Sequence, residues 1–354
     1  MRAPRVPIPA VLAAAVAVTF LEASGPAVRV VASKNIEIFS VLAVLAQDQD
    51  GAGPSGDASA GLPARFLAHR DHPGVRMVRR LVHDRSRNSL MRLALRLTDV
   101  PEARAIDPPP SPFSRLVLRR TVTTLRDFHR VTGFEDYWRE RGPVLRDWAD
   151  RAEEVLAAVP VVDTLEGFFG ASKAEYRMVY APLMTRLRTG DLRTIGAGEE
   201  ATVIFGPRDG LEDRGVPLER GLVVDIAFLE FGRLWITSIV DGHAAEFKKY
   251  APLQKRAAAL KGRAGPRKPW RSFWIDNLTA AVQARLAATV YGSGVGPELL
   301  TRYHGDDLVA PELHAELEVY ENSRVRYPTV ESFLRELLFR LESRLGGRRG
   351  KERP

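Results

Sequence analysis

Apolar residues recur three and four places apart through most of this chain, a rhythm that commits it to helices sharing a buried core. The rhythm runs through Leu116, Val117, Val122, Leu125 and Phe128, and Gly133 and Gly142-Pro143 mark breaks in it. Three short runs depart from it with β-branched and aromatic residues: Val28 to Ala32, Tyr176 to Tyr180 and Ala201 to Phe205. Gly221 to Ile226 reads either as a further strand or as the entry to a central helix. Many helices interleaved with a few strands predict an α+β fold, predominantly helical, with a small β-sheet. At 354 residues the chain can form two domains, or one large one with additions. It has no cysteine, so no disulfide, thiolate metal site or cysteine nucleophile is available and the core alone holds the fold.

The N-terminus has the pattern of an export signal. Arg2 and Arg5 precede an apolar run of 12 residues, Ala10 to Leu21, and small residues follow at Ala23, Ser24, Gly25 and Ala27. The run is shorter than the roughly 20 residues that span a bilayer. This predicts a signal over 1–27, a periplasmic or secreted mature protein, and no transmembrane helix within it. The mature chain reads as an N-terminal helical part (28–160), a part holding the sheet and a central helix (161–345), and a disordered basic tail (346–354).

The net charge of +8 falls to +7 once Arg2, Arg5 and Glu22 are removed. Basic residues at Arg76, Arg79, Arg80, Arg85, Arg87, Arg92 and Arg96 alternate with Val75, Val78, Leu81, Leu90, Leu93 and Leu97. That is the pattern of solvated amphipathic helices, without interleaved stacking aromatics, and it argues against a nucleic-acid partner. Phe134, Tyr137, Trp138 and Trp148 read as core. His69 and His72 flank Asp71 at a spacing open to a metal or to simple solvation, as does His304 beside Asp306 and Asp307. No Gly-x-Ser-x-Gly elbow, phosphate-binding loop or dinucleotide fingerprint is present.

Several segments, taken in order, resemble a bacterial family of unknown function whose members look like secreted zinc metallopeptidases of the HExxH type. They are Asn35 to Ala46, Phe66 to Val75, Tyr180 to Leu183 with Ile204 to Pro207, and Tyr320 to Phe333. The resemblance implies a zincin-like metallopeptidase fold in which a small sheet precedes the central, formerly catalytic helix. That helix is expected over Leu234 to Tyr250, with the motif positions at Asp241, Gly242, His243, Ala244 and Ala245. In an intact motif, histidines four apart share one zinc and the glutamate activates its water. Here Asp241, Gly242 and Ala245 replace both ligands and the base, and the third ligand position matches Asp276.

The residual candidates are His243, Glu246 and Asp276. Asp241 and His243 lie about 200° apart on an ideal helix and cannot share an ion, whereas His243 and Glu246 are about 60° apart and can. The stripe Ile236, Ile239, Val240, His243, Ala244 and Phe247 favours a core histidine with one hydrogen-bond partner. Asp276 can cap a helix or pair with an arginine such as Arg271. The expectation is an exported metallopeptidase-like protein without catalysis or cofactor, keeping a cleft for a peptide or envelope partner. Two alternatives stand beside it. One is a metal-dependent hydrolase that holds zinc with His243, Glu246 and Asp276; the other is a basic binder of surfaces or nucleic acid.

Overall fold

The structure, a computed structural model, describes residues 27–47, 62, 64–83, 87–106, 112–183, 188–195, 198–205, 220–262, 265, 268–303 and 309–347. These residues are predominantly helical with one four-stranded sheet. The strands are β1 (Val28–Val31), β2 (Glu175–Tyr180), β3 (Arg188–Ile195) and β4 (Gly198–Phe205). Helices α1 (Lys34–Gln47), α2 (Ala64–Leu67), α3 (Pro73–His83), α4 (Arg87–Leu95), α5 (Pro112–Val131), α6 (Phe134–Ala157) and α7 (Val161–Phe169) lie between β1 and β2. After β4 come α8 (Arg220–Gly242), α9 (Ala244–Lys249), α10 (Pro252–Leu260), α11 (Trp270–Tyr291), α12 (Val295–Tyr303), α13 (Ala310–Glu321) and α14 (Val330–Gly347).

The sheet order is β1-β2-β4-β3. β1, β2 and β4 run parallel, with Val28 opposite Tyr176 and Met178 opposite Val203, and β3 closes the sheet antiparallel to β4. β1 belongs to the expected N-terminal part and β2 to β4 to the other, so one sheet joins the two.

Strand side chains alternate between faces, and here the alternation divides two cores. Val30, Tyr176, Met178, Tyr180, Ala201, Val203 and Phe205 face the larger one, which takes in α6, α7, α8, α11, α13 and α14. Trp148 of α6 stacks on Tyr180 there, ring centroids 4.1 Å apart. Val179 and Ile204 point the other way, into a core built on α1 to α6 around Phe66, Phe128, Phe134 and Tyr137. Polar strand residues also use this second face: Arg177 pairs with Glu175 and Glu200 at 3.0 and 3.3 Å. Both faces are therefore covered, as a parallel sheet requires.

Asn35 ties the opening helix down. Its side-chain amide donates to the Leu97 and Thr98 carbonyls, and its Oδ1 accepts from the Val100 amide. Ser33 Oγ accepts from the Ile36 amide at the start of α1, as an N-terminal cap does. α7 ends at Gly170 with φ +70°, and a Cβ there would stand 2.1 Å from the Pro328 carbonyl oxygen. Only glycine fits that junction between α7 and the turn leading into α14.

The fold differs from expectation at two places. The helix expected over Leu234 to Tyr250 is not continuous: α8 ends at Gly242 and α9 begins at Ala244, with His243 between them at φ −112°, ψ 29°. Glycine's low helix propensity places the break. Of the two readings of Gly221 to Ile226, the entry to a helix is the one found, at the start of α8. β3, carrying Arg188, Asp191 and Arg193 among its eight residues, lacks the apolar alternation that marks a strand in sequence. The expected signal, His304 with its two aspartates, and the tail beyond Gly347 lie outside the described residues.

Candidate functional site

Long helices α8 and α11 form the centre of the larger core and run in opposite directions along each other. Polar and close contacts mark the seam from end to end. Gln283 donates to the Asp225 carbonyl at 3.1 Å, and Arg233 donates to Asp276 Oδ1 at 2.9 Å. Arg271 grips Asp241 with Nε and a terminal nitrogen at 2.6 and 2.7 Å. At Gly232 the two helices are close, with Val282 Cγ1 3.6 Å from where a Cβ would stand, an ordinary contact distance. Ala280, Ala281, Ala284 and Ala287 keep α11 narrow enough to be buried over most of its length.

Asp276 sits in this seam between two cations. Arg233 binds one carboxylate oxygen and Lys268 Nζ donates to the other at 2.7 Å. Burial works against its charge, but the hydrogen bonds from Lys268 and Arg233 outweigh burial and hold the carboxyl below its ordinary range. The arginine expected to pair with Asp276, Arg271, instead engages Asp241. The hydrogen bond from Arg271 lowers the Asp241 carboxyl in the same way.

His243 and Glu246 line a different place, a cleft of about 310 Å³ between α9 and the start of α14, together with Glu331, Ser332, Leu334 and Arg335. His243 has the single partner the sequence predicts, Glu331 Oε1 at 2.5 Å from Nε2, but its side chain is 37% exposed and is not a core group. The break at Gly242 causes this: it turns His243 off the apolar stripe that continues to the buried Phe247. Glu246 is held by Lys249, whose hydrogen bond lowers the carboxyl from its ordinary value. Asp276 is not part of this cleft. His243, Glu246 and Asp276 thus divide between two sites, each carboxylate already neutralised by lysine or arginine. Among the described residues no three histidine, aspartate or glutamate side chains are placed to hold one metal ion.

Gly242 and Ala245 are exposed at the junction of α8 and α9 and bring no chemistry to either site. The partner of Asp276 comes instead from three turns earlier on α8. There Leu229, Glu230 and Arg233 occupy positions i, i+1 and i+4, with Leu229 and Glu230 buried. The sequence signal for this group is a glutamate inside an otherwise apolar helix, followed three places on by a basic residue. What marks it as a site is the pairing with Asp276, 43 positions away, which only the packing of α8 on α11 reveals.

The paired histidines near α3 have a structural role. His72 Nδ1 accepts the Gly74 amide at 3.0 Å, which leaves the proton on Nε2, 3.0 Å from Asp127 Oδ2. His69 and His72 both lie edge-on to Phe128, ring centroids 6.5 and 5.1 Å away. Asn277 is buried, with its amide bonded to the Phe273 and Val309 backbone.

The family described as a domain of unknown function (DUF4932) matches residues 111–339, from the start of α5 into α14, and so includes both the α8–α11 seam and the His243 cleft. No curated protein and no solved structure matches the chain.

Proposed function

The chain belongs to the DUF4932 family, and on that premise we propose that it is an exported, non-catalytic protein of zincin-like descent in which an ion pair replaces the metal. The observation that carries this reading is Arg233 set against Asp276 on facing buried helices. A His-Glu-x-x-His helix places ligands at i and i+4 and the base at i+1, opposite a carboxylate from a later helix. Leu229, Glu230 and Arg233 satisfy that placement, with Asp276 opposite the i+4 position. The lost motif is then better assigned to 229–233 than to 241–245, where α8 has reached its exposed end.

The residue types at this position do not fit zinc. Leucine has no lone pair, and a guanidinium is protonated at any physiological pH and offers none. The Arg233 charge supplies what Asp276 would otherwise draw from a cation. Glu230 remains, but without a bound water to activate it has no hydrolytic role. The scaffold is left to bind, and the His243 cleft, at the small end of the range for ligand pockets, is its candidate surface for a peptide or envelope partner.

Metal titration tests the reading. Chelator-treated protein offered equimolar zinc and then gel-filtered is expected to retain less than about 0.1 zinc per chain. The double variant Leu229→His/Arg233→His, which restores two nitrogen ligands beside Asp276, is expected to retain about one. Stoichiometric zinc in the unaltered protein, with peptide hydrolysis that chelator abolishes, overturns the proposal. A folded double variant that binds no zinc refutes the assignment to 229–233.

A further inference from the structure

The positive charge of this protein is concentrated in one region. Residues 64–131 contain fifteen arginines, no lysine and six acids, a net charge of +9, against +8 for all 354 residues. The described part of that stretch is α2 to α5, packed as a helical lobe on the second core. Most of its arginine side chains that the structure describes are exposed.

α5 concentrates this charge along a line. Arg115, Arg119, Arg126 and Arg130 fall within an arc of about 60° and extend over about 22 Å of helix. Arg126 donates to the Glu102 carbonyl and Arg130 to Asp127. Arg115, Arg119 and the neighbouring Arg120 are exposed and have no acidic partner among the described residues. Leu116, 42% exposed, lies between Arg119 and Arg120 on the helix surface. Cations without an acidic partner among the described residues, beside an exposed aliphatic on a helix whose other side is anchored in a core, make a surface suited to an anionic interface with an apolar layer beneath.

We propose that α5 docks this protein on anionic phospholipid, its arginines on the phosphates and Leu116 at the edge of the acyl region. The inference does not depend on the fate of the metal position. One feature favours lipid over nucleic acid: the exposed apolar group, Leu116, is aliphatic, with nothing for a base to stack on.

Co-sedimentation of the full chain with vesicles at about 0.1 M salt tests this. Phosphatidylglycerol–phosphatidylcholine vesicles should retain the protein at least tenfold better than phosphatidylcholine alone. Each arginine near such a surface contributes about a factor of five, so Arg115→Glu/Arg119→Glu should weaken retention by more than tenfold. Lys255→Glu/Lys261→Glu, the same charge change on exposed α10 and the turn after it, should weaken it less than twofold. Leu116→Asn should cost severalfold without a change in net charge. Unchanged melting temperatures verify that these exposed substitutions leave the fold intact. Equal losses in the two double variants, or none in either, overturn the proposal; so does tighter, arginine-dependent retention on duplex DNA than on vesicles.

Discussion

Arginine does opposite work in two regions of this molecule. Along the α8–α11 seam Arg233 meets Asp276 and Arg271 meets Asp241 across the helix pair, and each charge is matched within the protein. At the start of α5 the arginines are exposed with no acidic partner among the described residues, and the charge projects outward. The contrast shows that the chain's arginine content has no single meaning: its value at each position is set by what the packing brings opposite. A carboxylate opposite a cation in a half-buried seam fixes helix register, while its absence on an exposed helix leaves a field for something else to neutralise.

Asp276→Ala should break the contrast most severely, because it leaves Arg233 and Lys268 as adjacent cations in a partly buried seam. Urea unfolding should show a loss of about 2–4 kcal/mol, against less than about 0.5 kcal/mol for Arg115→Ala. Replacing both partners, as Arg233→Met/Asp276→Leu, should recover most of that loss, since well-packed apolar pairs substitute for buried ion pairs. If the double variant is no better than Asp276→Ala, the pair is not the unit of the seam.

Gly232 tests how close α8 and α11 must be. Gly232→Leu should cost about 1–3 kcal/mol through overpacking against Val282. Gly232→Ala, with ordinary contact distance available, should be neutral or gain up to about 1 kcal/mol in helix propensity. Denaturation midpoints of the two variants separate steric closeness from propensity.

Acid should weaken the seam. Asp276 and Asp241 have folded carboxyls held below their ordinary range, so their contribution is complete above the unfolded value near 3.9 and fades as pH falls through the lower folded values. Asp276→Asn should flatten the loss of stability below about pH 4; Arg115→Glu should leave that flank unchanged.

The smallest effect has the opposite sign and lies in the second core. Glu37 is buried, accepts from Tyr137 at 2.5 Å, and its Oε2 has no hydrogen-bond partner among the described residues. Burial raises its carboxyl, against the hydrogen bond from Tyr137 and the charge of Arg141. Its neutral form is therefore the favoured one in the fold, and stability is lost as pH rises through the raised folded value. Glu37→Gln should melt higher than the unaltered protein at pH 8, with the difference vanishing near pH 4. A constant difference across that range would assign the effect to packing.

Much of the architecture is legible in the sequence because period is a local property. The strands at Val28, Tyr176 and Ala201, the helix opened near Asn35, and the long helix from Trp270 all follow from apolar spacing. β3 escapes that test because its residues are largely polar and it is recognisable mainly through its pairing with β4. The end of α8 is marked by Gly242, yet a motif template laid over Asp241 to Ala245 hides that break. Arg233 and Asp276 are illegible as a pair for a simpler reason: no periodicity links residues 43 apart on different helices. Glu230, one charge in an apolar run, is the only hint the sequence offers.

β1 leads the described chain but pairs along its length with β2, Val28 meeting Tyr176. About 150 residues must be made before that partner exists, the kind of long-range closure that slows folding. During synthesis the first strand waits for β2, and the larger core stays open until α8, α11, α13 and α14 have followed the sheet. A protein laid out this way completes its larger core only once most of its chain has been made.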